Sequence, residues 1–231
     1  MSKTRFLFVT GTDTDVGKTE VAAALLRKMA AAGLTTAAIK PVAAGCEQSD
    51  GQWVNSDALK LQAEATLQLD YRQVNPVALE PAIAPHIAAA QSGKRITVDQ
   101  LAGYCRGIAI AHRPDVVLVE GAGGWLCPLN ERETLAELAT VLAADVMLVV
   151  GMRLGCLNHA LLTAAAVRQS RLSLVGWVAN CIAPDMPVLE ENIACLRSLL
   201  PAPCWGVLPR ADIAAGADIT HVLSEALTVK L

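Results

Sequence analysis

Aromatic side chains are scarce: Phe, Trp and Tyr make up 3% of the 231 residues. That scarcity argues against a sandwich lined with aromatic pairs and for small aliphatic side chains filling the interior. A basic surplus is also missing. With 19 Lys and Arg against 22 Asp and Glu, the net charge is −3, and no basic stripe or tail stands out. The electrostatic case for nucleic acid therefore fails. The 7 cysteines are odd in number and never form a C-x-x-C pair, which argues against a disulfide scaffold or zinc site and for a reduced, cytoplasmic setting. Long hydrophobic runs are absent. Phe6 to Val9 is too brief for a signal-peptide core, and the longer apolar stretches are cut by Arg27, Lys28, Glu137 and Asp145, so no membrane span is expected. Repeats, linkers and low-complexity segments are lacking too, and the length fits one domain over residues 1–231.

What remains is a chain 53% hydrophobic and rich in Ala, Val and Leu, in which short β-rich runs alternate with helical patterns. This alternation predicts an α/β fold with a mostly parallel central sheet and helices on both faces. Strands are expected at Arg5–Thr10, Thr36–Ile39, Asp115–Val119, Asp145–Val150, Leu174–Ala179 and Cys204–Val207. Helices are expected at Lys18–Ala32, where Gly33 supplies the stop, and at Asp57–Leu67, Thr97–Ala111, Glu133–Leu142, Leu157–Gln169 and Pro187–Leu200, with a last one from about Asp218. Lys40–Asn55 and Val74–Lys94 are the least regular stretches.

Ligands of open α/β sheets bind at the carboxyl ends of the strands, and the polar candidates fall there. Gly11 to Thr19, GTDTDVGKT, follow the first strand and open a helix. Backbone N–H groups of such a loop cradle phosphates, Lys18 supplies charge to the β- and γ-phosphates, and the Thr19 hydroxyl can ligate magnesium. Thr12 stands where the general pattern has its first glycine, because the glycine here is Gly11. Glu120 ends the run VVLVE and leads into Gly121-Ala122-Gly123-Gly124, a setting for a metal-binding carboxylate. Asp57 is either a second metal ligand or a helix N-cap. Lys40, before Pro41, closes the second strand beside the phosphate loop. Gly155 opens a helix whose N–H groups suit a carboxylate, with Asn158 as a further amide donor; an ordinary helix cap is the plain alternative. Asn180, after the fifth strand, either meets an adenine edge or forms a turn. The 4 histidines show no metal spacing, and Cys156 and Cys181, without a paired base, read as packing thiols.

Taken in order, GTDTDVGKT, KPVAAG (Lys40–Gly45), NSDAL (Asn55–Leu59), VNPVALEPAIAPHIAA (Val74–Ala89), VEGAGGW (Val119–Trp125), VVGMRLGCLNHALLTA (Val149–Ala164), GWVAN (Gly176–Asn180) and LPAPCWGVLPR (Leu200–Arg210) resemble the dethiobiotin synthetases along nearly the whole chain. The resemblance implies a P-loop NTPase domain acting as a homodimer, with sites that draw on both subunits. It implies an ATP- and Mg2+-dependent ring closure of 7,8-diaminononanoate with carbon dioxide, through a carbamate and a carbamic–phosphoric anhydride. Nucleotide contacts are implied for Gly11, Asp13, Thr14, Asp15, Val16, Gly17, Lys18, Thr19, Asp57, Glu120, Gly121, Ala122 and Gly123, with adenine held by Asn180, Cys181, Pro209, Arg210 and Ala211. Catalytic roles are implied for Lys18, Lys40 and Thr14, and magnesium ligation for Thr19, Asp57 and Glu120. Substrate contacts would fall on Thr14, Lys40 and Ala44, with Gly155, Cys156, Leu157 and Asn158 on the carboxylate at the subunit interface.

Ala44 stands where the resemblance implies a serine or threonine, a departure that a divergent second copy of the enzyme would carry. A partitioning or cell-division ATPase switch is the alternative, but Asp13 occupies the position of the signature lysine of those proteins. A related ligase acting on another amine is the third reading.

Overall fold

Leu7, Leu118, Leu148 and Val178 lie at the centres of apolar runs that are buried on both faces, which is what makes those runs neighbouring parallel strands. A computed structural model describes residues 4–210 and 218–223. The first unit is β1 (Arg5–Gly11), α1 (Lys18–Ala31) and β2 (Thr36–Ile39). An irregular region follows, with β3 (Val42–Ala44), β4 (Glu47–Ser49), β5 (Gln52–Val54), α2 (Ser56–Glu64), α3 (Tyr71–Val74), β6 (Val77–Leu79) and α4 (Pro85–Gln91). The remainder is α5 (Val98–His112), β7 (Val116–Gly124), α6 (Leu135–Val141), β8 (Asp145–Gly151), α7 (Cys156–Gln169), β9 (Leu174–Asn180), α8 (Leu189–Leu199) and β10 (Cys204–Leu208).

The 6-stranded sheet runs β10-β9-β8-β1-β7-β2, and every pairing in it is parallel. Alternation along β1 divides the core. Leu7 and Val9 face α1, where they meet Leu25, Leu26 and Val149, while Phe8 faces the layer of α5 and α6 with Leu101, Val119 and Leu138. Leu148 and Val150 of β8 pack with Trp177, Ile193 and Leu196 beneath α7 and α8. Each large aliphatic side chain so buried contributes about 1.5–3 kcal/mol. The sheet expected from sequence is therefore present, with helices on both faces. Among the described residues no helix is long and apolar enough to cross a membrane.

Two features differ from the sequence expectation. Glu120 does not follow its strand but lies inside β7, which continues to Gly124 after a register shift opposite Val9 to Gly11. A Cβ on Gly121 would lie 3.1 Å from the Phe8 ring, so the glycine lets β7 stay paired where Phe8 packs. The irregular stretches hold β3 paired in parallel with β6, and β4 antiparallel to β5. Of the helix expected from about Asp218, the described residues hold a 3-10 turn, Thr220–Val222, and the remainder, 224–231, lies outside the described residues.

Candidate active site

The phosphate-binding loop is held from three sides. Gly17 caps α1 in the left-handed region at φ 82°, and a side chain there would collide with Asn180. Thr12 N–H donates to the Val149 carbonyl at 3.0 Å, and its hydroxyl accepts from Gly151 N–H at 3.2 Å. The Asn180 amide donates to the Val16 carbonyl at 2.8 Å, and Arg153 pairs with Asp13. The ends of β8 and β9 thus brace the loop that β1 delivers to α1.

Lys18, Lys40, Thr19, Asp57 and Glu120 meet in one cavity of about 930 Å3 at the carboxyl ends of β1, β2 and β7. Glu120 is fully buried, and its Oε1 accepts from Lys40 Nζ at 2.5 Å and from the Thr19 hydroxyl at 3.0 Å. Lys40, 5% exposed, also donates to Asp57 Oδ2 at 3.0 Å. Burial opposes the Lys40 charge, but the facing carboxylates of Glu120 and Asp57 outweigh it and raise the pKa above the ordinary lysine value. Lys18 is different. Burial dominates and lowers its pKa, with Glu120 pulling the other way, while its ammonium donates to the Asp13 carbonyl at 2.8 Å. The site therefore holds one lysine locked into charge by carboxylates and another whose charge is only partly compensated.

A magnesium ion fits this donor set. Glu120 Oε2 is buried without a hydrogen-bond partner among the described residues, and the Thr19 hydroxyl and Asp57 carboxylate lie around the same cavity. These are the hard oxygen donors that magnesium takes beside phosphates and waters. Asp57 is not the cap of α2. Asn55 fills that place, accepting from Ala58 N–H at 3.3 Å, which leaves the Asp57 carboxylate to Lys40 and the cavity.

Thr14, Asp15, Gly17, Ala44, Ala122 and Gly123 also line the cavity. Gly11 and Val16 are buried in the loop itself, and Gly121 packs on Phe8. Gly155, Cys156, Leu157, Asn158, Asn180, Cys181, Pro209 and Arg210 do not line it. Gly155 stands at the start of α7 beside Leu154, which is 97% exposed. Asn180 does not follow β9 but is its last residue, Cys181 follows it, Pro209 and Arg210 follow β10, and Ala211 lies outside the described residues. Sequence reasoning missed Asn55, Cys127 and the wall formed by Ala82, Ile83, Ala84 and Pro85. The proline-rich run from Pro81 to Pro85 was the available signal for that wall.

Residues 5–216 match the model of a family described as an AAA domain. The chain is 59% identical over 223 residues to an ATP-dependent dethiobiotin synthetase of Cellvibrio japonicus, covering 96% of each chain. It is 53% identical to one of Pseudomonas paraeruginosa, over 93% of this chain and 94% of that one. Among solved structures, the MinD cell division protein of Aquifex aeolicus superposes with a TM-score of 0.58 at 17% identity, over 97% of this chain and 93% of the other. A ParA family ATPase of Chlorobium tepidum gives 0.56 at 11%, over 99% and 96%. At such identities those two structures speak to the fold alone. With synthetase relatives this similar over nearly their full length, the chain belongs to the ATP-dependent dethiobiotin synthetase family.

Proposed function

We propose that the chain is a ring-closing ligase that converts 7,8-diaminononanoate and carbon dioxide to dethiobiotin, with ATP becoming ADP and phosphate. The observation that carries this reading is the convergence of Lys18 and Lys40 with Thr19, Asp57 and Glu120 on one cavity. The names of its relatives support it.

An aliphatic amine resembles lysine, with a pKa near 10.4, so only about one molecule in a thousand is neutral at pH 7, at a cost of roughly 4–5 kcal/mol. The partly uncompensated charge of Lys18 in the cavity repels the ammonium form and so lowers that cost. The neutral amine attacks carbon dioxide and loses a proton, giving a carbamate whose negative charge Lys18 and Lys40 stabilise. One carbamate oxygen attacks the γ-phosphate and ADP leaves. The second amine then attacks the carbamoyl carbon, phosphate departs, and the remaining proton passes to solvent. Lys18, at the opening of α1, is placed to follow the charge of the transferred phosphoryl group. Thr19, Asp57 and Glu120 would hold magnesium, which would supply neutralising charge to the phosphates. Thr14 and Ala44, on the cavity wall, adjoin the diamine. Asn180 Oδ1, buried without a partner among the described residues, is an acceptor for the exocyclic amine of adenine, with Cys181, Pro209 and Arg210 alongside. Gly155 to Asn158, exposed outside the cavity apart from Cys156 and Leu157, serve the substrate carboxylate of a second copy in a homodimer. Residues 1–231 form one such unit.

The test is to mix the protein with Mg-ATP, bicarbonate and the diamine and to follow phosphate and product mass. Phosphate release that requires both the diamine and bicarbonate, with a product of dethiobiotin mass, is the expected result. Slow hydrolysis indifferent to both would favour an ATPase switch, and nucleotide binding without turnover would favour a different amine substrate.

A further inference from the structure

Lys40 and Asp57 come from different elements, and neither is fixed by the main sheet: Lys40 is the first residue after β2, and Asp57 lies in the first turn of α2. A circuit of hydrogen bonds, buried except at Asp57, joins them. Lys40 N–H donates to the Val74 carbonyl at 2.8 Å, and the Lys40 carbonyl accepts from Asn75 Nδ2 at 2.7 Å, so the end of α3 holds Lys40 through both its backbone N–H and C=O. Asn75 Oδ1 accepts from the Tyr71 hydroxyl at 3.0 Å, and that hydroxyl oxygen accepts from Asn55 N–H at 2.7 Å. Asn55 Oδ1 in turn caps α2, and Asp57 closes the ring by accepting from Lys40 Nζ. Asn55, Tyr71 and Asn75 are buried, and neither Tyr71 nor Asn75 lines the cavity. Inside the protein each member polarises the next, and a broken link leaves buried polar groups unpaired.

We propose that Tyr71, with Asn75 and Asn55, forms a positioning network that sets the Lys40 ammonium against Asp57 and Glu120, so that the Tyr71 hydroxyl acts in the reaction without touching a reactant. The kinetic part of this inference rests on the function proposed above; its second readout does not. A purely structural role for the same bonds would lower thermal stability and leave the folded molecules fully active.

Tyr71→Phe removes the hydroxyl and little else. Assayed well below its melting temperature, the variant should lose about tenfold in kcat, the rate equivalent of one hydrogen bond's net contribution, with the KM for the diamine within about twofold. In parallel, binding of a fluorescent ATP analogue is titrated with Mg2+, and the half-saturating concentration should rise about threefold or more as Asp57 loses its setting. Ile193→Val, in the core between β9 and α8, serves as the control and should move neither readout. If Tyr71→Phe lowers the melting temperature while kcat and the Mg2+ midpoint stay at parental values, the network is structural only and the proposal falls. If the parent does not close the ring at all, the functional reading fails, and the Mg2+ midpoint alone decides this one. Asn75→Ser breaks the circuit one link nearer Lys40 and replaces Tyr71→Phe if that variant does not fold.

Discussion

Glu120 is fully buried, and its only charged partner within ion-pair distance among the described residues is Lys40. Lys40→Met should therefore cost about 3–5 kcal/mol in urea unfolding, because it leaves a carboxylate in the interior without its counter-charge. Adding Glu120→Gln to it should return much of that stability and none of the activity, a coupling that a double-mutant cycle reads directly. Lys18 leads to the opposite expectation. Its pKa is lowered by burial from the ordinary 10.5, so its ionised form opposes folding at neutral pH. That penalty is present below the lowered value and fades as pH climbs from there to 10.5. Lys40, whose pKa is raised, gives stability that is present below 10.5 and is lost only as pH passes its raised value. Lys18→Met should thus unfold at a higher temperature than its parent at pH 7, with the gap closing as pH approaches 10.5, while nucleotide binding is lost. A melting temperature that falls at pH 7 would show that Lys18 is compensated in the folded chain.

At the scale of elements, the strongly periodic segments were legible and the short ones were not. Thr36–Ile39 was read to the residue, and Lys18–Ala32 to within one position, since the helix ends at Ala31 with Gly33 at φ 82° just beyond. The pairing of β3 with β6 spans a long sequence separation on three-residue strands, too few residues to show a period of two. The sequence marks Glu120 as a candidate metal ligand by its charge after an apolar run, yet its place inside β7 depends on Gly121 to Gly124 remaining paired beyond the register shift. The expected helix start at Glu133 falls two residues early for a readable reason: Thr134 caps α6 through Ala136 N–H, while Glu137 accepts from Thr134 N–H at 2.7 Å. Such a box is worth about 1 kcal/mol. Thr134→Ala should lower unfolding free energy by about that amount and leave kcat unchanged, because α6 contributes no residue to the cavity.

For the molecule as a whole, the dimer proposed above turns on Gly155 to Asn158. They stand exposed or half-exposed at the start of α7, apart from buried Cys156, while Lys18 and Lys40 face a cavity they do not line. The proposed dimer assigns them to the partner's site, and two-fold symmetry turns that assignment into arithmetic. One chain carries Lys40→Ala. The other carries Asn158→Asp, which suits the first turn of a helix but repels a substrate carboxylate. In a mixed dimer, the cavity of the Lys40→Ala chain meets the altered Asn158 and is doubly impaired. The other cavity has its own Lys40 and the partner's intact Asn158, so it works. Equal mixing with free exchange makes about half of the dimers mixed, each with one working site in two, so about a quarter of parental activity should return from two variants that are each nearly inactive alone. Sites contained within one chain would return nothing on mixing, since every chain present would carry its own defect.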